Sequence, residues 1–444
     1  MHAPDGMPGT MLPLRRWFAR TSERRVHDEP ARPAAKLARS ELLRFVLVGV
    51  PALGLSLTAT TVNAYVPVLA RELTSSRFLI GALVSGEGFV SLLWPIWIGA
   101  ASDRVETRLG PRLPFMLASA PLAAAALFWT PFTRSIPGLV IAVGLYYFAY
   151  FTYYAPYRAL ASDLASREQS GRVNGIVGAF RGAGTGCGLV GGALLFQVWR
   201  PLPYWVAAVA LIVTTAVPAL ALRQTASRTN VATDEPGSAA TRVWLLVRDH
   251  VDIRRVILAN VLWRITETGL RAFIVLYLIH GLRKSFSFAA LAMGVVAAGA
   301  LVAAPIAGQL ADRYGPTRVM RIMLAVFGIG LWAATFTQST AWLLAALPVV
   351  GFGGAMALSL PYAILMRIMP HKSHGTTAGL YDVSSGAGSL LGPLLTGAAI
   401  DLLRPLFEST DGYAAMWPVL GTSTLLSIAL LRAPVPEHQP RARS

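Results

Sequence analysis

Six charged side chains lie inside long apolar stretches of the sequence, where a charge needs a specific partner or a polar cavity. They are Glu87, Arg181, Arg264, Glu267, Arg271 and Asp382. An unpartnered charge in apolar surroundings costs a few kcal/mol or more. Arg264, Glu267 and Arg271 are spaced three and four residues apart, so a helix would place them on one face.

The three acids in this set can bind a proton reversibly, because burial favours the uncharged form of a carboxyl group. We expect Glu87, Glu267 or Asp382 to carry such a proton, with an arginine as its counter-ion. Arg181 and Arg264 are the candidate counter-ions. The alternative is a permanent buried salt bridge that fixes helix packing.

A second set of side chains could contact a small solute. The candidates are Asn63, Trp94, Tyr146, Tyr150, Tyr154 and Arg271. The tyrosines belong to a stripe at helical spacing that also includes Tyr153 and Tyr157. Aromatic faces with hydroxyl tips can stack on a ring and hydrogen-bond to its edges, although packing alone explains such a stripe equally well.

The elements that must position these side chains are membrane-spanning helices. Hydrophobic residues make up 54% of the 444 residues, whereas charged residues make up 14%, against about 25% in soluble domains. A membrane span needs about 20 apolar residues. The apolar stretches predict helices over 43–69, 78–101, 113–133, 136–161, 172–198, 202–222, 253–280, 288–311, 317–337, 341–369, 377–403 and 411–432. We therefore predict an all-α membrane protein with twelve transmembrane helices in two pseudo-symmetric bundles of six.

Composition also predicts the domain boundaries. Residues 1–40 are polar and arginine-rich, which is typical of a disordered tail. A hydrophilic stretch over 223–252 has the character of a linker between two bundles. We predict bundles over 41–222 and 253–432, followed by a short tail over 433–444.

The net charge of +17 raises the question of a nucleic-acid partner, and the placement of the charges argues against one. When residues near a span end are counted with the adjoining loop, 29 of the 39 lysines and arginines fall at one side of the membrane and three lie within spans. Seven fall at the other side: Arg71, Arg77, Arg134, Arg200, Arg283, Lys284 and Arg404. This asymmetry follows the positive-inside rule. It predicts a protein of the cell (inner) membrane with both termini in the cytoplasm, in contact with lipid.

A loop motif occurs twice, about two hundred residues apart, between two apolar stretches each time. The first copy contains Gly99, Asp103, Arg104, Gly110 and Arg112, and the second contains Gly308, Asp312, Arg313 and Gly315. This pattern resembles the loop between the second and third helices in each half of a major facilitator superfamily transporter. The resemblance implies two related bundles and a latch, formed by the aspartates and arginines, that holds the cytoplasmic side closed in one state.

A further stretch, Ala155-Pro156-Tyr157-Arg158-Ala159-Leu160-Ala161-Ser162-Asp163-Leu164, is similar to a signature of the sucrose/proton symporters. The first loop motif also resembles the glycoside–pentoside–hexuronide:cation symporters. The resemblance assigns Arg158 to the functional arginine and Asp163 to the loop aspartate of the signature. The chain departs from both families at their cation-binding aspartates, where it has Tyr147, Val90 and Trp94. This departure removes the support for sodium coupling.

These features favour a secondary active transporter that works by alternating access and imports a sugar or glycoside with protons. A proton-driven antiporter that exports drugs or metabolites is the first alternative, and a non-transporting membrane sensor is the second. We expect neither enzymatic activity nor a cofactor or metal site, because the sequence has one cysteine, Cys187, and no nucleophile–base pattern. We also expect the chain to act as a monomer.

Overall fold

The structure of the full chain is a computed structural model. It describes residues 39–105, 107, 109–163, 170–221, 251–339, 341–348, 351–354, 364–365 and 374–431. The predicted tail over 433–444 lies outside these residues, and so does the predicted tail over 1–40 except for its last two residues. Of the predicted linker over 223–252, only the last two residues are described. Within the described part the regular secondary structure is helical, which confirms the predicted fold class. Seven of the described helices are long and apolar enough to span a membrane.

In the described part of the first half, six helices begin and end close to the predicted spans. They are α1 (Arg39–Leu73), α2 (Arg77–Arg104), α3 (Leu113–Trp129), α4 (Ile136–Asp163), α5 (Ser170–Gly186) and α6 (Leu202–Ala221). Helix α5 continues through a π-helical turn, Cys187–Gly191, into a last segment, Gly192–Val198.

The second half repeats this order. Its helices are α7 (Val251–Leu276), α8 (Phe286–Tyr314), α9 (Pro316–Ala333), α10 (helical at 341–348 and 351–354), α11 (His374–Leu402) and α12 (Met416–Leu430). A π-helical turn, Tyr277–Gly281, extends α7. Three short 3₁₀ segments, Arg404–Leu406, Glu408–Thr410 and Tyr413–Ala415, connect α11 to α12.

Equivalent helices in the two halves begin and end at residues of the same type. Ser76 caps the start of α2 and Ser285 caps the start of α8, each accepting a hydrogen bond from the backbone N–H three residues later. The two copies of the loop motif each hold a glycine, Gly110 and Gly315, at a φ of 83°. This left-handed backbone favours glycine, because a Cβ would clash there.

Within each half, glycines bring the fifth helix against the first. A Cβ on Gly184 or Gly188 of α5 would meet Leu53 and Thr60 of α1. At the equivalent places, Gly388 and Gly392 of α11 lie directly against α7. In lipid, small residues of this kind allow the close approach that drives helix association.

Between the halves, α2 packs closely along α11. A Cβ on Gly88 would lie 2.6 Å from the Cα of Leu390, and Gly81 lies against the backbone of Pro393. Further along, Gly386 lies against Leu92. We call this contact between α2 and α11 the seam between the two halves. At Gly88 there is no room for any side chain larger than a hydrogen atom.

We predict that Gly88→Ala destabilises this seam. The added methyl group overlaps the α11 backbone, and overpacking of this kind costs about 1–3 kcal/mol. The thermal unfolding midpoint of the purified protein should fall by several degrees. Gly144→Ala on α4 is the matched control, because nothing lies within 4 Å of its added Cβ. Equal midpoints for the two variants would contradict this description of the seam.

Candidate functional site

A cavity of about 500 Å³ lies between the two halves. Helices α1, α2, α4 and α5 line it from the first half, and α7, α8, α9, α10 and α12 line it from the second. Drug-sized ligands occupy cavities of roughly 300–1,000 Å³. The volume and the position of this cavity suit a small organic molecule held by both halves.

Five of the six charges that the sequence places inside apolar stretches line this cavity: Glu87, Arg181, Arg264, Glu267 and Arg271. Glu267 forms ion pairs with both Arg264 and Arg271, one turn before and one turn after it on α7. Arg264 also donates to the Ser389 hydroxyl on α11, at 3.1 Å. One carboxylate therefore holds two guanidinium groups on a single face of α7.

Glu87 has a different environment on α2. It accepts a hydrogen bond of 2.8 Å from the side-chain amide of Asn63, whose oxygen accepts one of 3.2 Å from the Tyr147 hydroxyl. A second, smaller cavity of about 10 Å³ is lined by Asn63, Glu87, Thr268 and Arg271, among others. That volume is close to the minimum for one water molecule. The carboxylate of Glu87 thus contacts a neutral amide and lies close to the charged cluster of the second half.

Arg181 lines the cavity from α5 with an exposed side chain. Among the described residues, no carboxylate lies within 4 Å of its guanidinium, and no hydrogen bond to it occurs. It differs in this respect from Arg264 and Arg271, whose charges Glu267 compensates.

Some tyrosines of the α4 stripe line the cavity, and others are buried between the helices of the first half. Tyr150 and Tyr154 line the cavity and stack on each other, with 5.8 Å between ring centroids. Tyr146 is buried and bonds to Thr58, away from the cavity lining. Trp94 is also outside the lining, and its indole N–H donates to the Thr152 hydroxyl on α4. Asn63 lines only the smaller cavity.

Asp382 is the sixth in-span charge, and the structure places it away from the main cavity. It forms a 2.9 Å ion pair with Arg158 of α4, and the two side chains are 48% and 47% exposed. The guanidinium of Arg158 also lies 5.7 Å from the ring centre of Tyr154. This pair joins the two halves at the end of the molecule that carries the Asp103 and Asp312 loops, which we call the Asp103 end.

The opposite end, which we call the Arg77 end, has a larger ion cluster that the sequence does not single out. The side chain of Arg77 is only 2% exposed and pairs with Asp411, beyond α11, and with Asp401 of α11. Arg71 and Arg404 also contact Asp411, at 3.4 and 2.8 Å.

Asp401 completes this cluster at the start of α2. It accepts hydrogen bonds from the Ser76 hydroxyl and from the backbone N–H of Phe78. A carboxylate at a helix N-terminus is stabilised by the helix dipole. A residue of the second half therefore caps a helix of the first half, which holds the two halves together at this end.

The duplicated loop motif is only partly described. Arg112 is buried and donates to the Ser102 hydroxyl at 2.6 Å. Arg104 and Arg313 are exposed, Gly99 and Gly308 lie within α2 and α8, and Gly110 and Gly315 adopt positive φ. The side chains of Asp103, Asp163 and Asp312 lie outside the described part of the structure, so the latch expected of them stays a prediction.

Comparison with known proteins identifies the family. The family model described as Major Facilitator Superfamily matches residues 52–281 and 256–444. Multidrug resistance protein 3 of Bacillus subtilis is 32% identical over 91 residues, which cover 20% of this chain and 18% of that protein. A vacuolar membrane amino acid uptake transporter of Schizosaccharomyces pombe is 32% identical over 134 residues, covering 30% and 22%. The matched segments thus span about a fifth of the length of these curated relatives.

Solved structures extend the similarity in fold to nearly the whole chain. A bacterial homologue of the human lysosomal transporter Spinster, in an inward-facing and unoccupied conformation, has a TM-score of 0.69 at 13% identity. The match covers 89% of this chain and 95% of that one. The nucleoside transporter NupG has a TM-score of 0.67 at 14% identity, with 87% and 98% covered.

We predict that the Arg77 cluster makes stability depend on pH through Asp411. Burial alone would raise the pKa of Asp411, but Arg77, Arg404 and Arg71 outweigh it and hold the pKa below its ordinary value. A lowered pKa means that this stabilisation is complete above the ordinary value of about 3.9 and is lost as pH falls through the lower folded value.

Asp411→Asn should therefore lower the thermal midpoint at neutral pH, since it removes hydrogen bonds to charged groups worth about 1.5–3 kcal/mol. The difference from the unmodified protein should shrink as the pH falls below about 4. Glu408→Gln, an exposed carboxylate on the same connection, is the control. A midpoint difference that stays constant from neutral to acid pH would contradict the assignment.

Proposed function

Because the chain belongs to the Major Facilitator Superfamily, we propose that it is a secondary active transporter that moves a small solute across the cell membrane by alternating access. The observation that carries this proposal is the cavity between the halves, which is lined by charges from both. Transport sites in this fold type lie near the bilayer midplane, where two related bundles meet.

The two ends of the molecule support an alternating mechanism because different contacts join the halves at each end. At the Arg77 end, the buried guanidinium of Arg77 binds both Asp401 and Asp411. At the Asp103 end, the exposed Arg158–Asp382 pair joins the halves. With the Asp103 end in the cytoplasm, as the charge asymmetry predicts, this form is closed on the outer side. Transport would then require the Arg77 cluster to open.

For the coupling ion we propose a proton, carried by Glu87. Protonation of Glu267 would leave Arg264 and Arg271 without their carboxylate in the cavity wall, and breaking a buried pair in this way is costly. Glu87 instead contacts the amide of Asn63, which can hydrogen-bond to either form of the acid. Asp382 lies outside the cavity lining and suits a role in closing the Asp103 end.

For the solute we propose a sugar or glycoside, taken up with the proton. The similarity of the Arg158 region to the sucrose/proton symporters suggests this class. The stacked rings of Tyr150 and Tyr154 in the cavity wall also support it, because aromatic faces bind sugar rings.

Proton-driven export of a drug or metabolite is the second candidate. It is favoured by the apolar side chains that the second half adds to the cavity, such as Phe327, Leu331 and Leu347. The multidrug resistance relative points in the same direction.

Transport assays in proteoliposomes separate the two candidates. Sucrose uptake that depends on inward acid flow would support sugar symport. Export of a cationic dye such as ethidium against its gradient would support the antiporter and contradict sugar symport. If neither an imposed pH gradient nor its collapse changes the movement of any tested solute, proton coupling is wrong.

We predict that Glu87→Gln abolishes accumulation driven by a pH gradient, because the amide cannot take up a proton. Exchange of solute across the membrane without net accumulation should continue. The measurement is radiolabelled solute in proteoliposomes, with Glu408→Gln as a control outside the cavity. Glu267→Gln and Asp382→Asn complete the series, and proton coupling by these acids is excluded if all three amides still accumulate solute against its gradient.

A further inference from the structure

The charges that line the main cavity do not cancel. Three arginines and two glutamates are among its described lining residues. Glu267 pairs with Arg264 and Arg271, and Glu87 bonds to Asn63, so neither acid is paired with Arg181. The guanidinium of Arg181 is thus a cation that faces the cavity and has no acidic partner among the described residues.

The surroundings of Arg181 suit the acidic group of a ligand. Thr185 lies one turn further along α5 and lines the same cavity, as does Ser56 of α1. Tyr150 of α4 lines the cavity as well. Hydroxyl groups are hydrogen-bond donors, and a guanidinium forms the strong charge-assisted bonds that carboxylates prefer.

The second half contributes a wall of a different kind. Met293, Val296, Phe327, Leu331, Leu343 and Leu347 line the cavity from α8, α9 and α10. These side chains have no polar group, so they favour an apolar part of a ligand. One cavity therefore combines a cation on the first half, which has no acidic partner among the described residues, with an apolar wall on the second.

We infer that the transported solute is an organic anion with an apolar body, whose acidic group binds Arg181 and whose body packs on the apolar wall. The inference rests on the proposed transport function and narrows its substrate class. A sugar fits this site if it carries an acidic group and an apolar substituent, whereas a cationic dye does not.

The site also links the anion to the coupling proton. Protonation of Glu87 removes one negative charge from the cavity lining and increases its positive excess. Anion and proton should then promote each other's binding, because coupling between two sites is reciprocal. Movement of both in the same direction follows from this linkage.

Three probes with one apolar body and different head groups test the inference: 4-phenylbutyrate, 4-phenylbutanamide and 4-phenylbutylamine. Binding to the protein in lipid nanodiscs is measured by calorimetry at neutral pH, with empty nanodiscs as the blank. We expect the anion to bind about tenfold or more tightly than the neutral amide, since a hydrogen bond to a charged group contributes that much. The cation should bind most weakly.

Variants then assign the preference to Arg181. Arg181→Gln should bring the affinity for the anion down to that for the amide, and Arg181→Lys should keep part of the preference because it keeps the charge. Glu87→Gln should strengthen anion binding, which a loss of folding cannot mimic. Arg134→Gln, an exposed arginine in the connection between α3 and α4, should match the unmodified protein.

Equal binding of the anion and the amide to the unmodified protein would overturn the inference, as would binding of none of the probes. A preference that survives Arg181→Gln would also overturn it. Binding in nanodiscs is measured without a gradient, so these outcomes do not test the proposed transport function. The proteoliposome assays test that function. Conversely, anion binding without transport of any solute would contradict the proposed function but would still support the anion-binding site.

Discussion

The structure depends on the constraint that a charged side chain cannot face hydrocarbon without a large free-energy cost. Glu267 illustrates how the chain meets this constraint, because it holds Arg264 and Arg271 on one face of α7. That face must turn away from lipid, and the first half must leave space opposite to it. The cavity between the halves is thus a consequence of where the charges are placed.

The duplication explains the architecture but does not explain the chemistry. Ser76 and Ser285, and likewise Gly110 and Gly315, give equivalent local structure in the two halves. The charges do not follow this symmetry. The paired cluster lies on α7, whereas Arg181, which has no acidic partner in the described part of the chain, lies on α5. Two halves with the same fold therefore present different walls to one cavity.

The sequence alone predicted the helical membrane fold, because apolar stretches and glycine positions can be read from neighbouring residues along the chain. It also identified the six charges inside the spans, five of which line the cavity. A charge within a span avoids lipid and therefore faces a cavity or a partner. The sequence did not identify the Arg77 cluster, because Arg77 and Asp411 are 334 residues apart and look like ordinary loop charges. Nor could it separate Tyr150 from the buried Tyr146, because that depends on how α4 is rotated against α1.

The central claim is that the two halves rock about the cavity, with the Arg77 cluster holding one end closed. Distances between spin labels test it directly, in a Cys187→Ser background. One pair joins Arg134→Cys and Leu406→Cys at the Arg77 end, and another joins Asn174→Cys and Tyr314→Cys at the Asp103 end. When Asp411→Asn is added, the first distance should lengthen and the second should shorten. Two distances that stay fixed, or that lengthen together, would contradict the claim.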